Sequence, residues 1–542
     1  MLTEFQVTGM TCEHCARKVE KALNGVPGVR ASVSYARAMA RVETATPPDL
    51  DALRRALDAH GYGLMAADEA TRSGSGDTRL HIVVIGSGAA AFAAAIRAAD
   101  AGARVTMIER DDTLGGTCVN VGCVPSKIML RAAEVQHQRA RHPFAGIARS
   151  RDPIERGAQL AQLRARVEQL RADKYEQILH ERPEITLMRG AARFQGPRAL
   201  AVTDHAGATQ SMYPDRILIA CGASPAVPPI RGLADTPYWT STDALFAQAI
   251  PEHLLVIGSS FVALELAQAY RRLGSEVTLV ARNALFSRDD PDLGAGLLRV
   301  FEAEGIRVFT HTQVRRIHHD GERFSIDLGN ERATGDRLLV AAGRLANTQM
   351  LRLDKGEIAV DSQGAIRVDD HLQTSAQHIY AAGDCTTLPQ LVYVAAAAGT
   401  RAAINMTGGK ARLDLSVVPA VVFTDPQIAT VGLDEAQARA RGIEPVSRRL
   451  DLENVPRALA NFDTTGFIKL IADAHSHRLV GARILAHNAG EVIQTAALAV
   501  RHRMRVEELG DTLFPYLVMS EGLKLAAQTF TRDVRQLSCC AG

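Results

Sequence analysis

The chain has no excess of either charge. Sixty-two Lys and Arg stand against 60 Asp and Glu, a formal +2 over 542 residues, so nothing marks it for nucleic acid or an acidic membrane surface. It also lacks any apolar run of the ~18 residues that a membrane span needs. The start, Met1 to Gln6, has no basic stretch leading into an apolar core, so a secretory signal is not expected and the expected compartment is the cytoplasm. None of the 17 histidines falls in a metal-ligand spacing; only His14, set between two cysteines, merits a test. What remains is a chain too long for one core, which should divide into several globular domains.

The eight cysteines do not form the framework of a small secreted fold. Six lie in three close pairs: Cys12 and Cys15 in Gly-Met-Thr-Cys-Glu-His-Cys, Cys118 and Cys123 in the run Gly115 to Lys127, and Cys539 and Cys540 at the very end. In a reducing compartment such spacing points to redox catalysis, metal capture or both. The other two, Cys221 behind an apolar strand and Cys385 behind Asp384, read as packing residues.

Residues 1–66 alternate strand-like and helical segments in the order βαββαβ, a ferredoxin-like unit. Residues 67–78 are small and polar without apolar period, a flexible linker. Then comes an apolar run, Leu80 to Ile85, followed by Gly86, Gly88 and Ala91, an Ala-rich helix, and a second strand ending at Glu109. The same order recurs from Leu254 through Gly258 and Ala263 to Arg282. Gly86 suits a tight turn, Gly88 lets backbone approach a pyrophosphate, and Ala91 allows close helix packing, while Glu109 stands where a carboxylate accepts ribose hydroxyls. In the second unit Ser259 replaces the middle glycine. Its strand ends at Arg282, with Arg288 nearby, and guanidinium groups there favour a 2′-phosphate and hence NADPH over NADH; the alternative is two solvated surface arginines.

Cys118 and Cys123 precede Pro125 and Lys127. A helix start and a nearby ammonium both favour a thiolate. Together with Ala341-Ala-Gly-Arg344 and Tyr380-Ala-Ala-Gly-Asp384, the run Gly-Gly-Thr-Cys-x4-Cys-Val-Pro-Ser-Lys resembles the pyridine nucleotide-disulfide oxidoreductases from about residue 80 onward. That likeness implies an α/β fold with two Rossmann-like dinucleotide-binding domains and an α+β dimerisation domain: FAD-binding residues 79–224 and 341–415, NADPH-binding residues 225–340, and dimerisation residues 416–542. It implies a homodimer with active sites at the subunit interface and a redox disulfide Cys118–Cys123 against the flavin. FAD would be held by Gly86, Gly88, Ala91, Glu109, Thr117, Lys127, Ala192, Asp384 and Val392, and NADPH by Gly258, Ala263, Glu265, Arg282 and Arg288.

Disulfide reductases of this family carry a His before a Pro near the C-terminus as a proton donor. Here the run is Leu513-Phe514-Pro515-Tyr516, without that acid. The substrate is therefore expected to need no such proton, as with a soft metal ion held by thiolates. This departure and the Cys539-Cys540 tail resemble the mercury-reducing branch of the family, and residues 1–66 resemble the heavy-metal-associated domain often fused to it. The resemblance implies reduction of Hg(II) to the element, with the ion relayed between Cys12/Cys15, Cys539/Cys540 and Cys118/Cys123 and flanked at the inner site by Tyr175 and Tyr516. Small-molecule thiols are the expected carriers, and a membrane mercury transporter a possible donor. Two alternatives stay open at this point: a large thioredoxin reductase, against which Phe514 argues, and a metal chaperone with vestigial flavin folds.

Overall fold

The computed structural model describes residues 2–533 apart from 9, 11, 12, 36, 37, 46, 59 and 67–78. The first unit has a four-stranded antiparallel sheet in which Leu2–Thr8 lies between Met39–Thr44 and Gly63–Ala66, with Val29–Ser34 outside. Its two helices, Glu13–Asn24 and Leu50–Asp58, bury Val19, Leu23, Leu53 and Leu57 against Phe5, Val7 and Val42. This is the expected βαββαβ order.

Two parallel sheets follow. One has five strands in the order Ile379–Ala381, Arg216–Ile219, His81–Ile85, Arg104–Glu109, Ile185–Arg189; the other has four, in the order Ile306–Phe309, Glu276–Val280, His253–Ile257, Arg337–Val340. Their central strands are apolar on both faces because each sheet is covered by helices on one side and by a three-stranded antiparallel sheet on the other, Ala191–Gly196, Ala199–Thr203 and Thr209–Met212 in the first unit and Arg316–His319, Phe324–Asp327 and Arg332–Gly335 in the second. The duplication extends to single bonds. In the first sheet the His81 ring lies 2.9 Å from the Thr106 hydroxyl and Asp215 accepts from the His81 amide at 2.9 Å. In the second, His253 meets Thr278 at 2.8 Å and Asp336 accepts from the His253 amide at 2.6 Å.

The last unit is a five-stranded antiparallel sheet, Ala420–Val422, Gln427–Gly432, Leu479–Ala486, Phe467–Asp473, Pro445–Asp451, packed against Ala489–Arg501 and Glu521–Gln528. Between the units the helix Val392–Met406 returns to the first parallel sheet and lies against Ala89–Asp100. The two helices approach closely because Gly399 faces Ala90: a Cβ on Gly399 would stand 2.1 Å from the Ala90 carbonyl oxygen. Gly399→Ala should therefore force the helices apart and cost about 1–3 kcal/mol, read as a lower thermal midpoint; an unchanged midpoint would show that this contact does not set the packing.

Candidate active site

The first glycine turn is built by exclusion. Gly86 has φ +114°, and a Cβ there would lie 2.4 Å from the Ala220 oxygen. The buried Ser87 hydroxyl donates to Glu109 at 2.5 Å, and the Asp111 amide donates to the other carboxylate oxygen at 2.9 Å. Glu109 is thus fixed at its strand end, with no ion pair among the described residues. The helix Ala89–Asp100 begins at Gly88 with no side-chain cap, leaving its first amides for an anion. In the second unit Gly258 repeats the turn at φ +121°. The middle-glycine position is Ser260 rather than Ser259, since Ser260 stands two residues after Gly258 and opens its helix as Gly88 does after Gly86; the departure has a structural reason, because Ser260 caps its own helix, accepting from the Ala263 amide at 3.2 Å and donating to the Ala341 oxygen at 2.7 Å. Arg282 and Arg288 are both exposed on the segment that follows Glu276–Val280.

The thiol loop is seated on the first turn. Gly115 and Gly116 have φ +96° and +64°, and a Cβ on Gly116 would sit 2.7 Å from the Gly88 Cα. The Gly115 amide donates to the Ser87 oxygen at 3.1 Å. The Asn120 side-chain amide donates to the oxygens of Leu114 and Gly116 at 2.7 and 2.9 Å, closing the loop. Cys118 lies on the short helix Gly116–Val121 and Cys123 opens the long helix Cys123–Arg141. The Cys118 thiol donates to the Cys123 sulfur; this bond, aided by the Lys127 ammonium, lowers the Cys123 pKa from 9.0 to about 7, while Cys118 is pushed far up. The dithiol therefore carries its charge on Cys123 and its proton on Cys118.

Lys127 lies one turn beyond Cys123. Its ammonium pairs with Glu265 at 2.8 Å and stands over the Phe423 ring, 4.4 Å from its centroid. The other Glu265 oxygen accepts from the Phe423 amide at 2.9 Å. One ion pair so joins the thiol helix, the second dinucleotide unit and the interface sheet. Tyr175 sits on a π-turn, Ala172–Glu176, edge-on to Phe92 at 4.9 Å and against Gly115. Burial raises its phenol pKa, and the neighbouring thiol pair raises it further.

Asp384 and Arg344 complete the floor. Arg344 donates to the Thr117 hydroxyl at 3.3 Å and to the Ala223 oxygen, and its Nε lies 4.0 Å from the Asp384 carboxylate. Burial raises the Asp384 pKa against the pull of Arg344. The Arg344 Nε is buried with no hydrogen-bond partner among the described residues, a group awaiting an acceptor. Ala192 is buried on the strand Ala191–Gly196, and Val392 opens the helix Val392–Met406. The uncapped turn, the held Glu109, the unsatisfied Arg344 and Asp384 between two helix starts fit a flavin dinucleotide. Of these, sequence reasoning assigned no role to Arg344, although it stands in a quoted motif, and it missed Phe423 entirely.

Tyr516 lies on the interface unit, half exposed, near Leu513, which is 91% exposed. Phe514 packs onto that unit's core. Cys15 is half-buried on the helix Glu13–Asn24. Cys12, Cys539, Cys540 and the linker fall outside the described residues. Among the described residues no group of three or more His, Cys, Asp or Glu could hold a metal, and no helix is long and apolar enough to cross a membrane. Cys221 and Cys385, expected to be separate packing residues, are in contact.

Because the folded Cys123 pKa is depressed, its thiolate persists above about pH 7 and is lost as pH falls through that value. Alkylation of the reduced protein at Cys123, followed against pH by peptide mass, should show a midpoint near 7 that moves up in Cys118→Ala and, by less, in Lys127→Met. A midpoint unmoved by Cys118→Ala would remove the thiol bond as its cause.

Residues 80–399 match the pyridine nucleotide-disulphide oxidoreductase model, 418–527 its dimerisation domain and 4–63 the heavy-metal-associated domain. The mercuric reductase of Acidithiobacillus ferrooxidans is 57% identical over 100% of this chain and 99% of its own, and that of Shigella flexneri is 55% identical over 100% of both. Among solved structures, the HOCl-induced flavoprotein disulfide reductase RclA of Escherichia coli superposes with TM-score 0.75 at 29% identity, covering 83% of this chain and all of that one. LpdA of Mycobacterium tuberculosis gives 0.74 at 29%, covering 84% and 100%. With a thiol pair seated on a dinucleotide turn, a second dinucleotide unit bound to it through Lys127 and Glu265, and relatives alike over their whole length, the chain belongs to the mercuric reductases of the pyridine nucleotide-disulphide oxidoreductase family.

Proposed function

We propose that the chain is an NADPH-dependent flavoenzyme that reduces Hg(II) to elemental mercury, working as a homodimer in mercury detoxification. The observation that carries this reading is the Cys118–Cys123 dithiol with its charge on Cys123, coupled through Lys127 and Glu265 to the second dinucleotide unit. When bound, FAD and NADPH supply the electron pair. The domain limits read from sequence, FAD-binding 79–224 and 341–415, NADPH-binding 225–340, dimerisation 416–542, with residues 1–66 as metal domain and 67–78 as tether, belong to the same proposal, as does a cytoplasmic location.

The chain's own residues then have separate tasks. Gly86, Gly88, Ala91 and Glu109 take the flavin's pyrophosphate and ribose, with Thr117, Ala192, Asp384, Val392 and Arg344 along its remaining length. Gly258 and Ala263 take the nicotinamide dinucleotide, and Arg282 and Arg288 its 2′-phosphate. Glu265 holds the Lys127 ammonium, which favours negative charge on Cys123 and around it. Cys118 and Cys123 hold the ion as two thiolates, enough for a soft divalent cation, with Tyr175 and Tyr516 beside them. Small thiols deliver Hg(II) as a bis-thiolate, which exchanges onto Cys12 and Cys15 or onto the partner subunit's Cys539 and Cys540, and from there inward. A membrane mercury transporter is the donor upstream. Two electrons leave a neutral atom, which thiolates hold poorly.

A Cys539→Ala, Cys540→Ala double variant should keep flavin reduction by NADPH but lose turnover of mercury–thiol complexes roughly a hundredfold or more, because tethered exchange is lost. Equal turnover would reject the tail's role. Arg282→Ala with Arg288→Ala should raise the KM for NADPH about tenfold or more, equal to about 1.4 kcal/mol, with the KM for NADH unchanged. An equal rise for both dinucleotides would assign these arginines elsewhere.

A further inference from the structure

Phe423 follows the short strand Ala420–Val422 at the edge of the interface sheet and keeps 39% of its surface exposed. A ring so placed adds little to a core, yet the segment that carries it is fixed almost residue by residue. Glu265, Gln268 and Arg272 stand at spacings of three and four on the helix Phe261–Leu273 and so share one face. Glu265 accepts from the Phe423 amide at 2.9 Å. Gln268 accepts from the Asp425 amide at 2.8 Å and donates to the Asp425 oxygen at 2.7 Å. Arg272 pairs with the Asp425 carboxylate at 2.8 Å, and the buried Thr424 hydroxyl donates to the Pro426 oxygen at 2.9 Å.

That clamp decides where the Phe423 ring lies. The Lys127 ammonium stands over its face, 4.4 Å from the centroid, and pairs at 2.8 Å with the Glu265 oxygen that the Phe423 amide leaves free. The cation is therefore held between a carboxylate and the negative face of a ring. Lysine is a point charge on a flexible four-carbon stem, so without such a seat its charge has no fixed position. Lys127 lies one turn beyond Cys123 on the helix Cys123–Arg141, and its charge reaches that sulfur. Cys118, Glu265, Tyr175 and Arg344 face the thiol pair as well.

We propose that Phe423 is a positioning residue for the thiol pair: its ring face and backbone amide hold the Lys127 ammonium where its charge reaches Cys123, so that the interface unit tunes how readily the Cys118–Cys123 disulfide is reduced. Reduction adds two electrons, breaks the S–S bond and leaves a thiolate on Cys123 and a proton on Cys118. An ammonium held beside that thiolate favours the reduced form. The assignment rests on the reading of Cys118 and Cys123 as the redox pair and on no step that involves mercury.

The test equilibrates the full-length holoenzyme at one pH in mixtures of reduced and oxidised glutathione, in which two thiols supply the electrons and become one disulfide. After acid quenching, alkylation and digestion, peptide mass gives the fraction of Cys118–Cys123 disulfide. Phe423→Leu keeps the amide and an apolar side chain but loses the ring. It should need a roughly two- to fivefold higher ratio of squared reduced to oxidised glutathione for half reduction. Phe423→Met should do the same and stands in should the leucine variant not fold. Phe423→Tyr restores a ring face and should match the wild type. In a Lys127→Met background, Phe423→Leu should change nothing further, which separates the path through Lys127 from the other groups around the pair. An unmoved midpoint in the leucine or methionine variant, a shift the other way, an equal shift in Phe423→Tyr, or a shift that persists without Lys127 would each overturn the proposal. A wild type that forms no Cys118–Cys123 disulfide at any ratio would reject the redox reading itself, and this assignment with it.

Discussion

No side chain can stand between the thiol loop and the first glycine turn. With a Gly116 Cβ only 2.7 Å from the Gly88 Cα, anything larger than hydrogen lifts the loop away. The left-handed backbone at Gly115 and Gly116 is the corresponding requirement on φ, one that side-chain-bearing residues meet only at a cost. From that contact the rest follows: the loop ends at Cys123, the helix begins there, and one turn on the Lys127 ammonium reaches Glu265. A chain that failed at Gly116 would lose the thiol position, the ion pair and the tie to the second dinucleotide unit together.

Buried charges lie beside a shared apolar cluster where the second dinucleotide unit meets the interface sheet. Arg272 is held between Glu304 at 2.6 Å and Asp425 at 2.8 Å, with Gln268 bonding the same two partners. Lys469 bonds Asp290 at 2.6 Å and Glu435 at 2.7 Å, and the buried Arg483 bonds Asp289 at 2.5 Å. Such pairs add little net stability once desolvation is counted, but removing one partner strands the other, so they define a single register between the units. Asp289 and Asp290 directly follow Arg288 in the chain. The segment carrying both candidate phosphate-binding arginines is consequently clamped at one end to the interface unit, and its other end follows a rigid strand.

The glycine turns, the acid and the arginine at strand ends, and the Cys-x4-Cys run were legible because each demands a residue type at a fixed spacing. The βαββαβ order was legible from alternation and helical period. The π-turn at Ala172–Glu176 was not, since its residues look like any helix. Nor was the function of Ser260, because only the structure shows its hydroxyl capping the helix that a second glycine would have left open. Phe423 escaped for a different reason: its backbone amide and ring face serve Glu265 and Lys127, and neither use leaves a mark on residue type. Cys221 and Cys385 read only as packing residues because a sequence separation of 164 conceals that their strands are neighbours, a parallel pairing that local pattern does not encode.

A relay built from thiol pairs has a particular energetic character. Each exchange breaks one metal–sulfur bond and makes another, so successive pairs differ little in affinity, and proximity with the final reduction gives the direction. A nitrogen base beside the inner pair would disturb this balance, because imidazole is itself a good ligand for such ions. At the corresponding position Phe514 turns an apolar ring onto the interface core. It offers neither a ligand nor a proton, so in the proposed relay the charge balance at the inner pair would fall to Cys118, Cys123 and Lys127, the groups that the glycine contact holds in place.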